Sequence, residues 1–106
     1  MKTIAAILLA TCVVQPAAAR PVHYIGAGST ATCGKWLNYR QTGTADGVGN
    51  WVLGYLSGAA DWTDTLDPLN GLDSDAVLFW LDNYCSSHPL EYLTTALGAF
   101  VRQHPN

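Results

Sequence analysis

Asp73-Ser74-Asp75-Ala76-Val77-Leu78-Phe79-Trp80-Leu81-Asp82-Asn83-Tyr84-Cys85-Ser86-Ser87-His88-Pro89 is the stretch whose reading decides the fold. Its centre, Ala76 to Leu81, is apolar on every side and fits a buried strand as well as a helix. Length decides between them. Val77, Trp80 and Leu81 recur at helical spacing, and Tyr84 and Cys85 carry the same stripe past Asp82. Asp73 is a good N-cap, Asp75 is well placed in the first turn against the helix dipole, and Ser86-Ser87 closes the segment. The spacing predicts a central helix that carries a cysteine near its end.

Upstream, Thr32 can cap a short helix in which Cys33, Trp36, Leu37 and Arg40 recur at i, i+3, i+4 and i+7, putting a second cysteine on a buried face. Gln41 to Gly49 is rich in Gly and Thr and reads as a loop. Asn50 reads as the N-cap of a helix with the apolar stripe Trp51, Val52, Tyr55, Leu56 and Ala59, and with Gly54 and Gly58 four apart on another face. A glycine inside a helix costs up to about 1 kcal/mol relative to alanine. The pair therefore suggests close approach, by another helix first and by a ligand or partner second. Asp61 to Gly71 is a connector, punctuated by Pro68 and the Asn70-Gly71 turn signal. Its aspartates match no EF-hand spacing, and no Glu closes them. Downstream, His88-Pro89 opens a fourth helix with proline at its first position and Glu91 reaching back toward the cap. Leu90, Leu93, Leu97, Phe100 and Val101 form its seam. The expected fold class is all-α, a small four-helix domain.

The chain begins with a leader. Met1-Lys2-Thr3 is a basic start, Ile4 to Val14 is an apolar run, and Gln15-Pro16 with Ala17-Ala18-Ala19 fits a signal-peptidase site before Arg20. Residues 1–19 are thus expected to be a cleaved signal peptide, with export to the periplasm. The run is well short of the roughly 20 residues a membrane-spanning helix needs, and Cys12 is discarded with it. Residues 20–31 read as an extended N-terminal arm and 32–106 as the helical domain. Within the arm, Gly26-Ala27-Gly28 is a fragment of a dinucleotide fingerprint with no strand-turn-helix unit around it.

Cleavage leaves 87 of the 106 residues, enough for one domain. Cys33 and Cys85 are then the two cysteines that remain, 52 positions apart. In an oxidising compartment they are expected to pair, and closing such a loop removes roughly 4 kcal/mol of freedom from the unfolded chain. The competing states are two free thiols or half a metal site. Against them, neither cysteine belongs to a C-x-x-C pair and no His stands at ligand spacing.

After the leader, Arg20, Lys35, Arg40 and Arg102 face eight carboxylates, a balance of −4. Such a surface lacks the basic stripe that neutralises nucleic-acid phosphates and does not suit anionic membranes. Charge is sparse at 12%, while four tryptophans imply an aromatic core or an aromatic surface facing a partner. His23, His88 and His104 fall in the arm, at a helix cap and in the tail, and none has a neighbouring Ser, Cys or acid arranged as a nucleophile-base pair. Ser57, in Gly54-Tyr55-Leu56-Ser57-Gly58, is one residue out of register with a nucleophile elbow. No catalytic residue, cofactor or metal is expected. The candidate partner-binding residues are Trp51, Tyr55, Gly54, Gly58 and Trp62.

Three stretches carry a family resemblance: Thr32-Cys33-Gly34-Lys35-Trp36-Leu37, Trp51-Val52-Leu53-Gly54-Tyr55-Leu56-Ser57-Gly58, and Trp80 to Leu90 with its Tyr84-Cys85-x-x-x-Pro89 joint. In order and spacing they resemble the small periplasmic HdeA/HdeB acid-stress proteins. The resemblance implies a disulfide-stapled four-helix domain, with Cys33 and Cys85 at the positions of the family's disulfide. It also implies an ATP-independent holdase that partly unfolds in acid to expose apolar surface to protein clients, and it allows a homodimer. A second resemblance, to periplasmic immunity proteins of the Rap/Tai kind, rests on the Gly54 to Gly58 stretch and on the His88-Pro89 start to a leucine-seamed helix. It implies an alternative role, binding and neutralising one secreted effector.

Overall fold

The computed structural model describes residues 3–12, 21–64 and 66–105. Four helices carry the fold: α1 (Cys33–Thr42), α2 (Asp46–Trp62), α3 (Ser74–Ser87) and α4 (Leu93–Gln103), with no strand among the described residues. The domain is all-α and is closed by the Cys33–Cys85 disulfide, whose Cα atoms stand 4.7 Å apart. Thr32 and Asp73 cap as their sequence context predicts. Lys35 N–H donates to Thr32 Oγ1 at 3.2 Å and Ala76 N–H to Asp73 Oδ1 at 2.8 Å. α1 ends on Gly43, whose φ of +72° lets the chain reverse in the left-handed region.

α1 packs chiefly on α3 and α2 on α4. The shared core holds Cys33 and Trp36 from α1, Val48, Val52 and Leu56 from α2, Val77, Leu81 and Cys85 from α3, and Leu93, Ala96, Leu97 and Phe100 from α4. Behind the disulfide a backbone clasp joins the entry of α1 to the joint between α3 and α4. Cys33 N–H donates to Glu91 O at 2.7 Å, Gly34 N–H to Pro89 O at 2.9 Å, and Leu93 N–H to Ala31 O at 2.9 Å. These bonds satisfy two of the amide groups that the first turn of α1 would otherwise leave unpaired.

Three expectations need correction. α2 begins at Asp46, not after Asn50. The apparent loop is drawn into the helix because Val48 and Gly49 are buried, and a Cβ on Gly49 would already touch the Trp36 ring at 3.5 Å. α4 begins at Leu93, so Pro89 lies in a turn and not at the first helical position. Leu90 consequently drops out of the seam and is 91% exposed, and Glu91 turns its side chain to Tyr84. Lastly, Gly54 and Gly58 meet nothing within 4 Å of a built Cβ, so no helix of the domain packs closely against either. At 100° per residue they share a face with Trp51, Tyr55 and Trp62 instead of occupying another.

No described helix is long and apolar enough to cross a membrane. Ile4, Ile7, Leu8 and Leu9 are exposed and form no helix or strand. The expected cleavage site, Ala17 to Arg20, lies outside the described residues.

Candidate functional site

The surface that gathers the most candidate residues is the aromatic face of α2. Trp51 and Tyr55, one turn apart, lie with ring centroids 5.5 Å apart and tilted by 34°. The N-terminal arm lies across them as a strap. Trp51 Nε1–H donates to Ile25 O at 2.6 Å, and Tyr24 approaches Tyr55 with centroids 6.0 Å apart. Gly26 and Gly28 rest on the indole itself: a Cβ on Gly26 would stand 2.6 Å from Trp51 Cδ1, and one on Gly28 would come closer still. Gly26 also holds φ at +103°, a conformation that side chains rarely adopt. Burial pushes the Tyr55 phenol above its ordinary pKa, with neighbouring Tyr24 adding to the effect.

Of the five residues singled out in the sequence, the structure thus brings Trp51 and Tyr55 together beneath the strap. Gly54 and Gly58 continue the same helix face with open space above them. Trp62 stands at the far end, 86% exposed, about 16 Å along the axis from Trp51 at 1.5 Å per residue. The two glycines of the strap's Gly-Ala-Gly form a bed for the Trp51 indole.

A second aromatic array lies on α3 and α4, outside the residues singled out in the sequence. Tyr84 stacks on Trp80 with centroids 5.0 Å apart and on His88 at 4.0 Å, while Phe100 meets Trp80 edge-on at 5.0 Å and stacks on His104 at 4.2 Å. Both histidines follow a helix C-terminus. Each donates Nδ1–H to the carbonyl four residues back, His88 to Tyr84 O at 2.7 Å and His104 to Phe100 O at 2.8 Å. The period-four spacing Trp80, Tyr84, His88 was the available signal, with Phe100 and His104 repeating it on α4.

Two polar ties secure this side, and both end on carboxylates. Asp82 accepts from the indole of buried Trp36 at 2.8 Å and from Arg40 Nε and Nη2 at 3.1 and 2.8 Å, joining α1 to α3. Arg40 also lies 5.4 Å above the Trp36 ring. The hydrogen bond to Asp82 raises the guanidinium pKa further. Glu91 accepts from the Tyr84 hydroxyl at 2.7 Å, joining α3 to the turn before α4. That bond in the first place, then burial, raises the Tyr84 phenol above its ordinary value.

Ser57 donates its hydroxyl to Leu53 O at 2.7 Å within α2. It borders a cleft of about 100 Å³ that Leu69, Leu72, Asp73, Ser74 and Val77 complete. Small-molecule sites usually offer about 300 to 1,000 Å³. Among the described residues no three His, Cys, Asp or Glu gather where a metal ion could be held. No family model, curated protein or solved structure matches the chain, so its function is argued from these contacts.

Proposed function

We propose that this chain is a non-enzymatic, exported protein-binding domain, an acid-stress holdase of the HdeA/HdeB type. The observation that carries the reading is where the polar ties of the helical domain end. The long-range side-chain bonds from Trp36 and Arg40 go to Asp82, and that from Tyr84 goes to Glu91. Asp73 in turn caps α3. Each of these ties ends on a carboxylate, one of them the Arg40–Asp82 ion pair, while the disulfide keeps α1 and α3 tethered. A chain built this way loosens in acid without coming apart, and its apolar core faces become available to other unfolding proteins.

Export of residues 20–106 fits a fold that relies on a disulfide, since such bonds persist in oxidising compartments. The test is client-aggregation suppression, with dye binding, by the purified oxidised chain from pH 7 to about pH 2. Activity is expected only in acid, and it should disappear on reduction. Asp82→Asn, which keeps an acceptor for Trp36 but not the charge, should move its onset to higher pH. A chain that stays folded and inert throughout sinks the reading.

The alternative, an immunity protein for one secreted effector, is favoured by a single feature. Trp62 is an exposed aromatic between the exposed acids Asp61 and Asp64, the composition of an interface anchor with a charged rim. Tight neutral-pH capture of one partner, lost in Trp62→Ala, would select it.

A further inference from the structure

We infer that the Trp51–Trp62 face of α2 is a docking shelf for a peptide segment that turns at glycines, and that residues 21–31, which turn at Gly26 to Thr30, are its resident intramolecular occupant. The inference deepens the protein-binding reading, on which it rests, by naming the surface and the chemistry of what it takes. The strap shows what the shelf recognises. The Trp51 indole N–H takes a backbone carbonyl, from Ile25. The indole face takes two positions without a Cβ, Gly26 and Gly28. Neither feature belongs to the strap's particular side chains, because Val22 and Ile25 point outward, 67% and 88% exposed. A segment with a free carbonyl followed by a glycine turn, as Ser29 N–H closes onto Gly26 O at 3.1 Å, presents the same groups.

Two further observations make the strap displaceable and the shelf longer than its occupant. Pro21 to Ala27 are all exposed, and the strap joins the core only from Gly28 and Ala31 onward. It can therefore lift off without removing a core side chain, the kind of segment that opens at low free-energy cost. Beyond Tyr55 the shelf runs on over Gly58 to Trp62 with open space above the glycine, ground the strap leaves uncovered. A segment that engages Trp51, Tyr55 and Trp62 together has three aromatic anchors where the strap has two.

The experiment uses the full oxidised chain at neutral pH and a synthetic peptide of residues 21–31. Gly28→Val drives a side chain into the indole and should eject the strap. The readout is the Trp51 indole N–H signal in NMR, assigned by its absence in Trp51→Phe. In Gly28→Val that signal should move, with helix content unchanged, and added peptide should restore it. Binding is expected at least about tenfold tighter than to the unmodified chain, whose strap competes. Gly26→Ala, strained at its positive φ and pressed on the same ring, is the milder second variant and should behave alike. An unmoved Trp51 signal in both variants overturns the inference, as does failure of a folded, strap-free variant to bind the peptide. Since no acid is used, peptide binding without client protection in acid would keep the shelf and remove the holdase. Client protection without peptide binding would do the reverse.

Discussion

Tyr84 shows how much chemistry a single residue carries here. Its ring bridges Trp80 and His88, and its hydroxyl donates to Glu91, so deprotonating it sets a phenolate against a carboxylate at 2.7 Å. Its pKa is accordingly raised above the ordinary 10.0, by that bond first and by burial second, with Arg102 opposing weakly. The sign of the linkage follows. A raised folded value means the neutral form is favoured in the fold, so the stabilisation is complete below about pH 10 and is lost as pH rises through the folded pKa. In an alkaline spectrophotometric titration, the tyrosinate absorbance missing from Tyr84→Phe should develop above pH 10, and Glu91→Gln should bring it back toward that value. Titration of Tyr84 together with the exposed tyrosines would contradict the assignment. The pair is not legible in the sequence, because Glu91 there fits a helix cap, whereas α4 starts only at Leu93 and leaves its side chain free to meet Tyr84.

At the scale of elements, the caps of α1 and α3 are legible locally. Thr32 and Asp73 cap the helices they precede, because a side-chain oxygen beside free amide groups needs no tertiary context. The errors fall where distant residues decide the outcome. α2 gains a turn at its start because Val48 and Gly49 are buried, Gly49 against Trp36 of α1, and a Gly-rich composition cannot announce that burial. α4 starts late because the backbone of residues 89–93 is already bonded to Ala31, Cys33 and Gly34. Those bonds hold Pro89 and Leu90 in a turn. The same logic gives a prediction for α3: Asp73→Ala should leave Ala76 N–H unpaired and destabilise the domain by about 1 kcal/mol. In a domain of this size that is roughly a 4–8 °C fall in Tm, measurable by thermal unfolding at neutral pH. An unchanged Tm would mean that the connector and Pro68, not the cap, fix the start of α3.

For the whole molecule, the fold class, the disulfide and the aromatic residues of α2 are legible, and the strap that covers them is not. Two remaining cysteines admit one intramolecular pairing, and a stripe long enough to exclude a strand makes the central element a helix. That a Gly-Ala-Gly arm would return to lie on Trp51, by contrast, depends on where α2 sits after folding. The staple and the clasp around it make the last prediction. The Cys33–Cys85 loop encloses 52 positions and locks α1 to α3. α4 lies outside that loop and is joined to it by the shared core and by the backbone bonds of Cys33, Gly34 and Leu93. Removing the covalent bond therefore frees roughly 4 kcal/mol of chain entropy in the unfolded state, a large share of the 5–15 kcal/mol that small domains possess. The paired variant Cys33→Ser with Cys85→Ser should lose about that amount in urea unfolding at neutral pH. Because the clasp sits on the same residues, α4 should melt with α1 and α3 in a single transition. A loss under about 1 kcal/mol would show that the clasp and the Asp82 tie hold the helices without the disulfide. In that case the covalent tether on which the holdase reading depends would contribute little to holding α1 and α3 together.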